Sequence, residues 1–231
     1  MPTRLAAIAA RVPQDARFAD IGTDHAYLPI WLIRHRIIAS AIASDLREGP
    51  LRRGEEVAKM WSVSNAISFR LCDGLDGIPA DAVDTIAIAG MGGDTIASIL
   101  KAAPWSNEEG RLFLLQPMSA IPELRLWLSQ NGFSIDCETV VQENRKLYVV
   151  LTVRPGVMPP LTAAELWVGK QKKNLDMGLR TEFLNLMIAR RHAALRGLEH
   201  AATDHTTQIS ELRSLIKNLM EIKEEWLSWQ L

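Results

Sequence analysis

The first two thirds of the chain alternate short apolar runs with segments of helical periodicity, and this alternation restricts the fold more than any other feature. Residues 17–22 read as a buried strand ending in a turn. Residues 27–36 read as the helix that follows, with Pro29 in its first turn, where a missing N–H costs little. A second strand (39–46) and helix (48–61) come next, then a third strand (66–75). A fourth strand (83–93) runs into glycines and a helix (94–103), and a fifth strand (110–118) into a helix (120–132) closed by Gly132. Strands joined by such helices imply a parallel sheet covered on both faces. Residues 133–155 break the rhythm. They hold two β-rich runs with no room for a helix and read as an antiparallel pair joined through 142–146. A dinucleotide-binding domain would continue with another helical crossover.

Residues 154–160 are a linker by composition, and the sequence divides into 1–155 and 156–231. Beyond the linker the pattern is helical. Thr162 with Glu165 has capping-box spacing. Leu175, Leu179, Phe183, Leu186, Arg190 (as an aliphatic stem), Ala194 and Leu198 recur as one helical stripe. After an interruption at 203–207, Ile209, Leu212, Ile216, Leu219, Ile222, Trp226 and Trp229 form another. An antiparallel, coiled-coil-like hairpin is expected, serving as a structural cap, a dimer surface or a nucleic-acid arm.

With 48% hydrophobic and 23% charged residues, 231 residues can bury a full core. The net charge of −1 gives no global argument for nucleic acid, so any basic surface must be local. Cys72 and Cys137 lack metal-ligand spacing, and a reduced cytoplasmic protein without a metal is expected. No apolar run approaches the roughly 18 residues of a membrane span. The run from Leu5 to Ala10 is cut by Arg11 and reads as a short surface helix packing Leu5, Ile8 and Val12 inward.

The chemistry concentrates at the strand ends. Asp20 closes the first strand, and Gly22 permits a tight turn. Where a dinucleotide site places its second and third glycines, this chain has Asp24 and Tyr27. A carboxylate at that spot repels a pyrophosphate, yet suits a cofactor with a sulfonium and an ammonium, as S-adenosylmethionine (SAM) has, and by analogy an antiparallel sheet end is what class I SAM methyltransferases carry. Asp24 as a simple helix cap is the plainer reading. Asp45 ends the second strand, where an acid binds ribose hydroxyls, and Asp73, after Cys72, ends the third, where an acid accepts from an adenine amino group. The fourth strand ends in Gly90-Met91-Gly92-Gly93, which either admits a ligand to the backbone or only makes a turn. Met91 offers a soft contact to a base. The Asp/Asn-Pro-Pro-aromatic motif of amino-methyltransferases is absent there.

These motifs, 20–29 (DIGTDHAYLP), 48–50 (EGP), 84–93 (DTIAIAGMGG), 114–118 (LLQPM) with the following 124–128 (LRLWL), and Glu143 with Lys146-Leu147-Tyr148, resemble the bacterial tRNA (adenine(22)-N1)-methyltransferase (TrmK) family over about residues 1–155. The resemblance implies a seven-stranded methyltransferase sheet followed by a helical hairpin, and methyl transfer from SAM to adenine N1 in tRNA. It implies that Asp20, Gly22, Thr23, Asp24, His25 and Ala26 form the SAM loop. Asp45, Cys72, Asp73, Gly90, Met91 and Gly92 would complete the pocket. Adenine N1 has an in-plane lone pair and attacks directly, so positioning supplies most of the acceleration. N1 is masked in a base pair, so the base must be unpaired or extruded. Asp24, Tyr27, Met91, Gly92 and Gln116 are the expected groups around the reacting atoms. His25 is open between a loop role and a substrate contact. An NAD(P)-dependent oxidoreductase and a non-catalytic SAM- and RNA-binding protein are the alternatives.

The helical segment carries a local basic excess. Between Lys170 and Arg196, seven Lys and Arg face only Asp176 and Glu182. Lys172, Lys173, Arg180, Arg190, Arg191 and Arg196 are the expected contacts to tRNA phosphates, against the plainer reading of a solvated helix face. A monomer, or a weak dimer through the hairpin, is expected.

Overall fold

The computed structural model describes residues 1–171, 178–201 and 204–229. The chain divides into two compact units, Met1–Pro159 and Pro160–Leu231. Lys172, Lys173, Leu175 and Asp176 lie outside the described residues.

In the first unit, helix α1 (Thr3–Ala9) precedes β1 (Phe18–Ile21), α2 (Tyr27–Arg34), β2 (Ala41–Asp45), α3 (Glu48–Met60) and β3 (Ile67–Leu71). Then come β4 (Thr85–Gly92), α4 (Gly93–Ala102), β5 (Leu112–Ser119), α5 (Ile121–Gln130), β6 (Phe133–Glu143) and β7 (Lys146–Pro155). They build one seven-stranded sheet in the order β3-β2-β1-β4-β5-β7-β6. Strands β1 to β5 run parallel, β7 runs antiparallel to β5, and β6 antiparallel to β7. The interior strand β1 is buried throughout, as a strand covered by helices on both faces must be. On one face Ile8, Val12, Phe18, Leu28, Leu32, Leu114 and Val150 form a continuous core, with Leu5 packed against it. A smaller cluster of Ala26, Ile30, Ala43, Ala58 and Ile67 lies under α2 and α3.

The chain winds outward from β1 through β2 to β3, then returns to place β4 on the other side of β1. The carboxyl ends of β1 and β4 therefore form the point where the winding reverses, and open α/β sheets bind ligands at such points. The two final strands leave no helix between them. Asn144 and Arg145, with φ of 50° and 63°, turn β6 straight into β7. Paired left-handed residues give the twist that a two-residue hairpin needs. Arg125 of α5 is fully buried and forms a fork on Glu138 of β6, Nε to Oε1 at 3.0 Å and Nη2 to Oε2 at 2.5 Å.

In the second unit, α6 (Ala163–Val168) starts at the capping box: Thr162 Oγ1 accepts from the Glu165 N–H, and Glu165 accepts from the Thr162 N–H. Helices α7 (Gly178–Glu199) and α8 (Thr206–Ser228) pack against each other, and an Arg213–Glu199 ion pair at 2.7 Å joins them. Helix α8 buries the stripe read from sequence, with Ile216, Leu219 and Trp226 innermost. Helix α7 does not. Its buried side chains are Arg180, Phe183, Leu184 and Met187, while Arg190 and Ala194 are exposed. The expected stripe is turned away from the real one by about one position, because the arginine stem that lies inward is that of residue 180 and not 190. Arg180 is only 6% exposed, so it cannot serve as the phosphate contact expected of it.

Candidate active site

A cavity of about 400 Å³ opens at the carboxyl edge of the sheet, over β1, β2 and β4. Its wall includes Asp20, Gly22, Thr23, Asp24, His25, Ala26, Tyr27, Asp45, Gly90 and Met91, together with Pro2, Arg4, Leu5 and Arg47. A hollow of about 440 Å³ lies at the opposite edge, over the starts of β1, β2 and β3 (Phe18, Ala41, Ile67). Ligands of parallel sheets bind at carboxyl ends, where the loops converge, and the first cavity is the one with convergent polar groups.

The β1 loop is held by backbone bonds. The N–H groups of Gly22 and Thr23 both donate to the Ser44 carbonyl at 2.8 Å, which ties the ends of β1 and β2 together. Gly22 has φ of 75°, which favours glycine, and a Cβ there would sit 2.0 Å from Met91 Cε. Met91 thus reaches across from β4 to close the gap left by a missing side chain. Asp20 is buried and accepts from the Thr23 hydroxyl at 2.7 Å. Burial pushes its carboxyl up to about 6; the Thr23 bond opposes that shift, and the neighbouring Asp45 charge adds to it. Asp45 is also buried. It accepts from the Arg47 N–H at 2.8 Å, and the exposed Arg47 guanidinium stands off at 3.8 Å.

Asp24 is not a helix cap. Ala26 is the N-cap of α2, in the left-handed region at φ 51°, and no side chain caps that helix. Asp24 instead accepts from Arg53 Nη2 of α3 at 2.6 Å, and its other oxygen lies 3.4 Å from His25 Nε2. The Arg53 hydrogen bond, foremost, holds the Asp24 carboxyl below its ordinary range. The His25 ring stacks on Tyr27, with centroids 5.1 Å apart and planes 17° apart.

At the end of β4 the pairing with β5 slips around Gly90, which has φ of 78°. This is a bulge, and bulges beside sites bend a strand to admit or aim a group. A Cβ on Gly90 would meet nothing within 4 Å, so this face of the backbone is open. Gly93 serves a different purpose. A Cβ there would lie 2.2 Å from the Ala120 carbonyl oxygen, so the start of α4 lies directly on the start of α5. Gly93→Ala is expected to destabilise the protein by about 1–3 kcal/mol, the usual cost of overpacking. Chemical denaturation reads the change directly, and an unaltered midpoint would contradict the close approach.

Four expected site residues are outside the wall of this cavity. Cys72 and Asp73 follow β3, the edge strand, and neither lines the cavity, although the Cys72 N–H donates to the carbonyl of Asp45 at 3.1 Å; Asp73 is exposed. Gln116 is fully buried with its Nε2 turned back onto the Pro117 carbonyl at 2.9 Å, so it does not present its amide to a base. Gly92, the N-cap of α4, is also outside the wall. Sequence reading missed Arg4. This residue of α1 pairs with Glu143 at the end of β6, donates its N–H to the same carboxylate at 3.1 Å, and lies 6.0 Å from the Tyr148 ring. Glu143 and Tyr148 stand out as a motif, but nothing local links them to residue 4.

The donor set fits a ligand with positive centres. Asp20 and Asp45 are buried carboxylates whose hydrogen bonds come from neutral donors, a hydroxyl and a backbone N–H, so Asp20 suits a cationic group and Asp45, at the end of β2, suits ribose hydroxyls.

Comparison with known proteins agrees with this arrangement. Residues 1–151 match the family described as a methyltransferase domain. A Bacillus subtilis tRNA (adenine(22)-N(1))-methyltransferase is 35% identical over 153 residues, 66% of this chain and 64% of the relative, so the match spans slightly under two thirds of that protein. A Streptococcus pneumoniae protein, provisionally described as a tRNA (m1A22) methyltransferase and solved with S-adenosyl-L-methionine, superposes with a TM-score of 0.84 at 30% identity, covering 96% of this chain and 99% of that one. The B. subtilis M1A22 tRNA methyltransferase TrmK superposes with a TM-score of 0.84 at 26% identity, over 96% and 98% of the two chains. The site at the winding reversal, the antiparallel end of the sheet and the matches over nearly the whole length agree: the chain belongs to the TrmK family of methyltransferases.

Proposed function

We propose that this chain methylates N1 of an adenine in tRNA from SAM, at position 22 as its B. subtilis relative's name states. The observation that carries this reading is the pair of buried carboxylates, Asp20 and Asp45, at the winding reversal beside a glycine bulge with an open face. When bound there, SAM supplies an electrophilic methyl group. Asp20 and the Gly22-Thr23 turn would hold its cationic amino-acid end, and Asp45 would hold the ribose hydroxyls. The bulge at Gly90 leaves an open backbone face beside the site, where the adenine would enter. Met91 forms the apolar wall beside it. No base needs to act before attack, because N1 presents its lone pair in the ring plane; as the N1–CH3 bond forms the S–CH3 bond breaks, the neutral thioether leaves, and the cationic product can lose an N6 proton to solvent afterwards. The chain's own contribution is alignment of the two reactants. Calorimetric titration tests the cofactor half: SAM is expected to bind and NAD⁺ is not. Tight NAD⁺ binding would restore the dehydrogenase reading.

The second unit holds the tRNA through its backbone, in the cytoplasm, and the working protein is a monomer or a weak dimer. Arg190 and Arg196 are exposed on α7. Arg191 lies over the Trp167 ring at 3.9 Å, and burial, first, then the Arg190 charge lower its pKa. Replacing Arg190 and Arg196 with Glu is expected to weaken tRNA binding. The slope of log affinity against log salt should fall by about one for each phosphate that is no longer neutralised. An unaltered slope would make the helices structural.

A further inference from the structure

Asp24 differs from the other two carboxylates of the cavity. Asp20 and Asp45 are buried, and the Arg47 guanidinium, 3.8 Å from Asp45, lies outside hydrogen-bond range. The Asp24 side chain is 62% exposed, and Arg53 matches its charge at 2.6 Å. A cofactor cation gains more at buried Asp20 than at a carboxylate already neutralised in solvent. Asp24 must therefore do something else. Its second oxygen faces His25 Nε2 at 3.4 Å, and that ring stacks on Tyr27. The left-handed Ala26 between them folds the chain so that residues two apart share one side. Among the described residues, His25 and Tyr27 supply the only aromatic rings in the cavity wall, and Tyr27 is 45% exposed. An exposed, part-built stack at the mouth of a cavity offers a flat face to one more ring.

We infer that Arg53, Asp24, His25 and Tyr27 form a braced stacking platform for the extruded purine base, and that Arg53 and Asp24 are positioning residues that act through His25. This rests on the methyltransferase reading above and moves Asp24 from the cofactor to the substrate side. The ionised Asp24 keeps His25 in one orientation. The two rings then receive the unpaired base, as base–aromatic stacking is indifferent to sequence and favours any planar heterocycle. Arg53 comes from α3, so the brace ties the platform to a regular element rather than to the loop alone.

Steady-state kinetics on unmodified tRNA, with SAM affinity measured by calorimetry on the same full-length variants, separate the roles. Tyr27→Ala truncates a half-exposed ring and is expected to raise KM for tRNA about tenfold, the loss of one stacking partner. Asp24→Asn and Arg53→Met are expected to raise it less. SAM affinity stays unchanged in all three, and Arg53→Lys recovers part of the loss because it restores a cation to Asp24. Thermal unfolding checks that each variant is folded. Weakened SAM binding with an unchanged KM for tRNA would return the loop to the cofactor and overturn the inference. Unchanged values of both would overturn it too. A wild-type protein that binds no SAM would instead sink the underlying methyltransferase reading.

Discussion

Glu138→Ala is expected to destabilise the protein by about 3–5 kcal/mol, the usual cost of taking one partner from a buried ion pair. Arg125 is fully buried, and Glu138 is nearly so. The Glu138 carboxylate meets both Nε and Nη2 of the guanidinium, the planar fork that arginine forms best with a carboxylate. Removing it leaves a strongly desolvated cation without its main counter-charge. In a chain of this size the melting temperature is expected to fall on the order of 10 °C. Replacing both residues together with apolar side chains of similar volume is expected to cost far less, because the desolvation penalty disappears with the charges. The contrast between single and double variants is the test. A single variant that melts like wild type would mean that solvent or another group compensates the guanidinium.

Asp20→Asn is expected to lower SAM affinity about 10- to 100-fold, the range for a hydrogen bond to a charged group. The substitution keeps shape and the Thr23 contact while deleting the charge. Wild-type binding should also depend on pH in a way the variant does not. Burial raises the Asp20 pKa to about 6, so the group is largely protonated at pH 5 and ionised above pH 7. A cation binds the ionised form. Affinity is therefore expected to rise as pH increases through about 6 and to level off above 7. Calorimetry of both proteins from pH 5 to 8 checks this, and a flat wild-type profile would remove Asp20 from contact with the positive end of the cofactor.

The sequence made the sheet legible because its signals are local. Apolar runs of strand length, turn residues at their ends, and the capping box at Thr162 each act over a few residues, and the structure forms an element at each. The missing crossover after residue 133 is equally readable, and β6 and β7 meet through a two-residue turn. The rotation of α7 is not. Arginine stems can lie in or out of a seam, and only packing decides between 180 and 190. At the site, strand-end carboxylates can be placed along the carboxyl edge from sequence, yet their partners cannot. Arg53 reaches Asp24 across 29 positions, and Glu143 reaches Arg4 across 139. Gln116 shows the converse: strand order brings it to the correct edge, while pleat and burial turn its amide inward.

Methyl transfer to an unmodified tRNA transcript tests the central claim most directly. The full-length protein is incubated with SAM labelled at the methyl group, and the digested RNA is resolved by nucleoside. The label is expected in N1-methyladenosine, and a transcript with G in place of A at position 22 is expected to accept none. Label in any other nucleoside, equal label in the G22 transcript, or none in either would contradict the account.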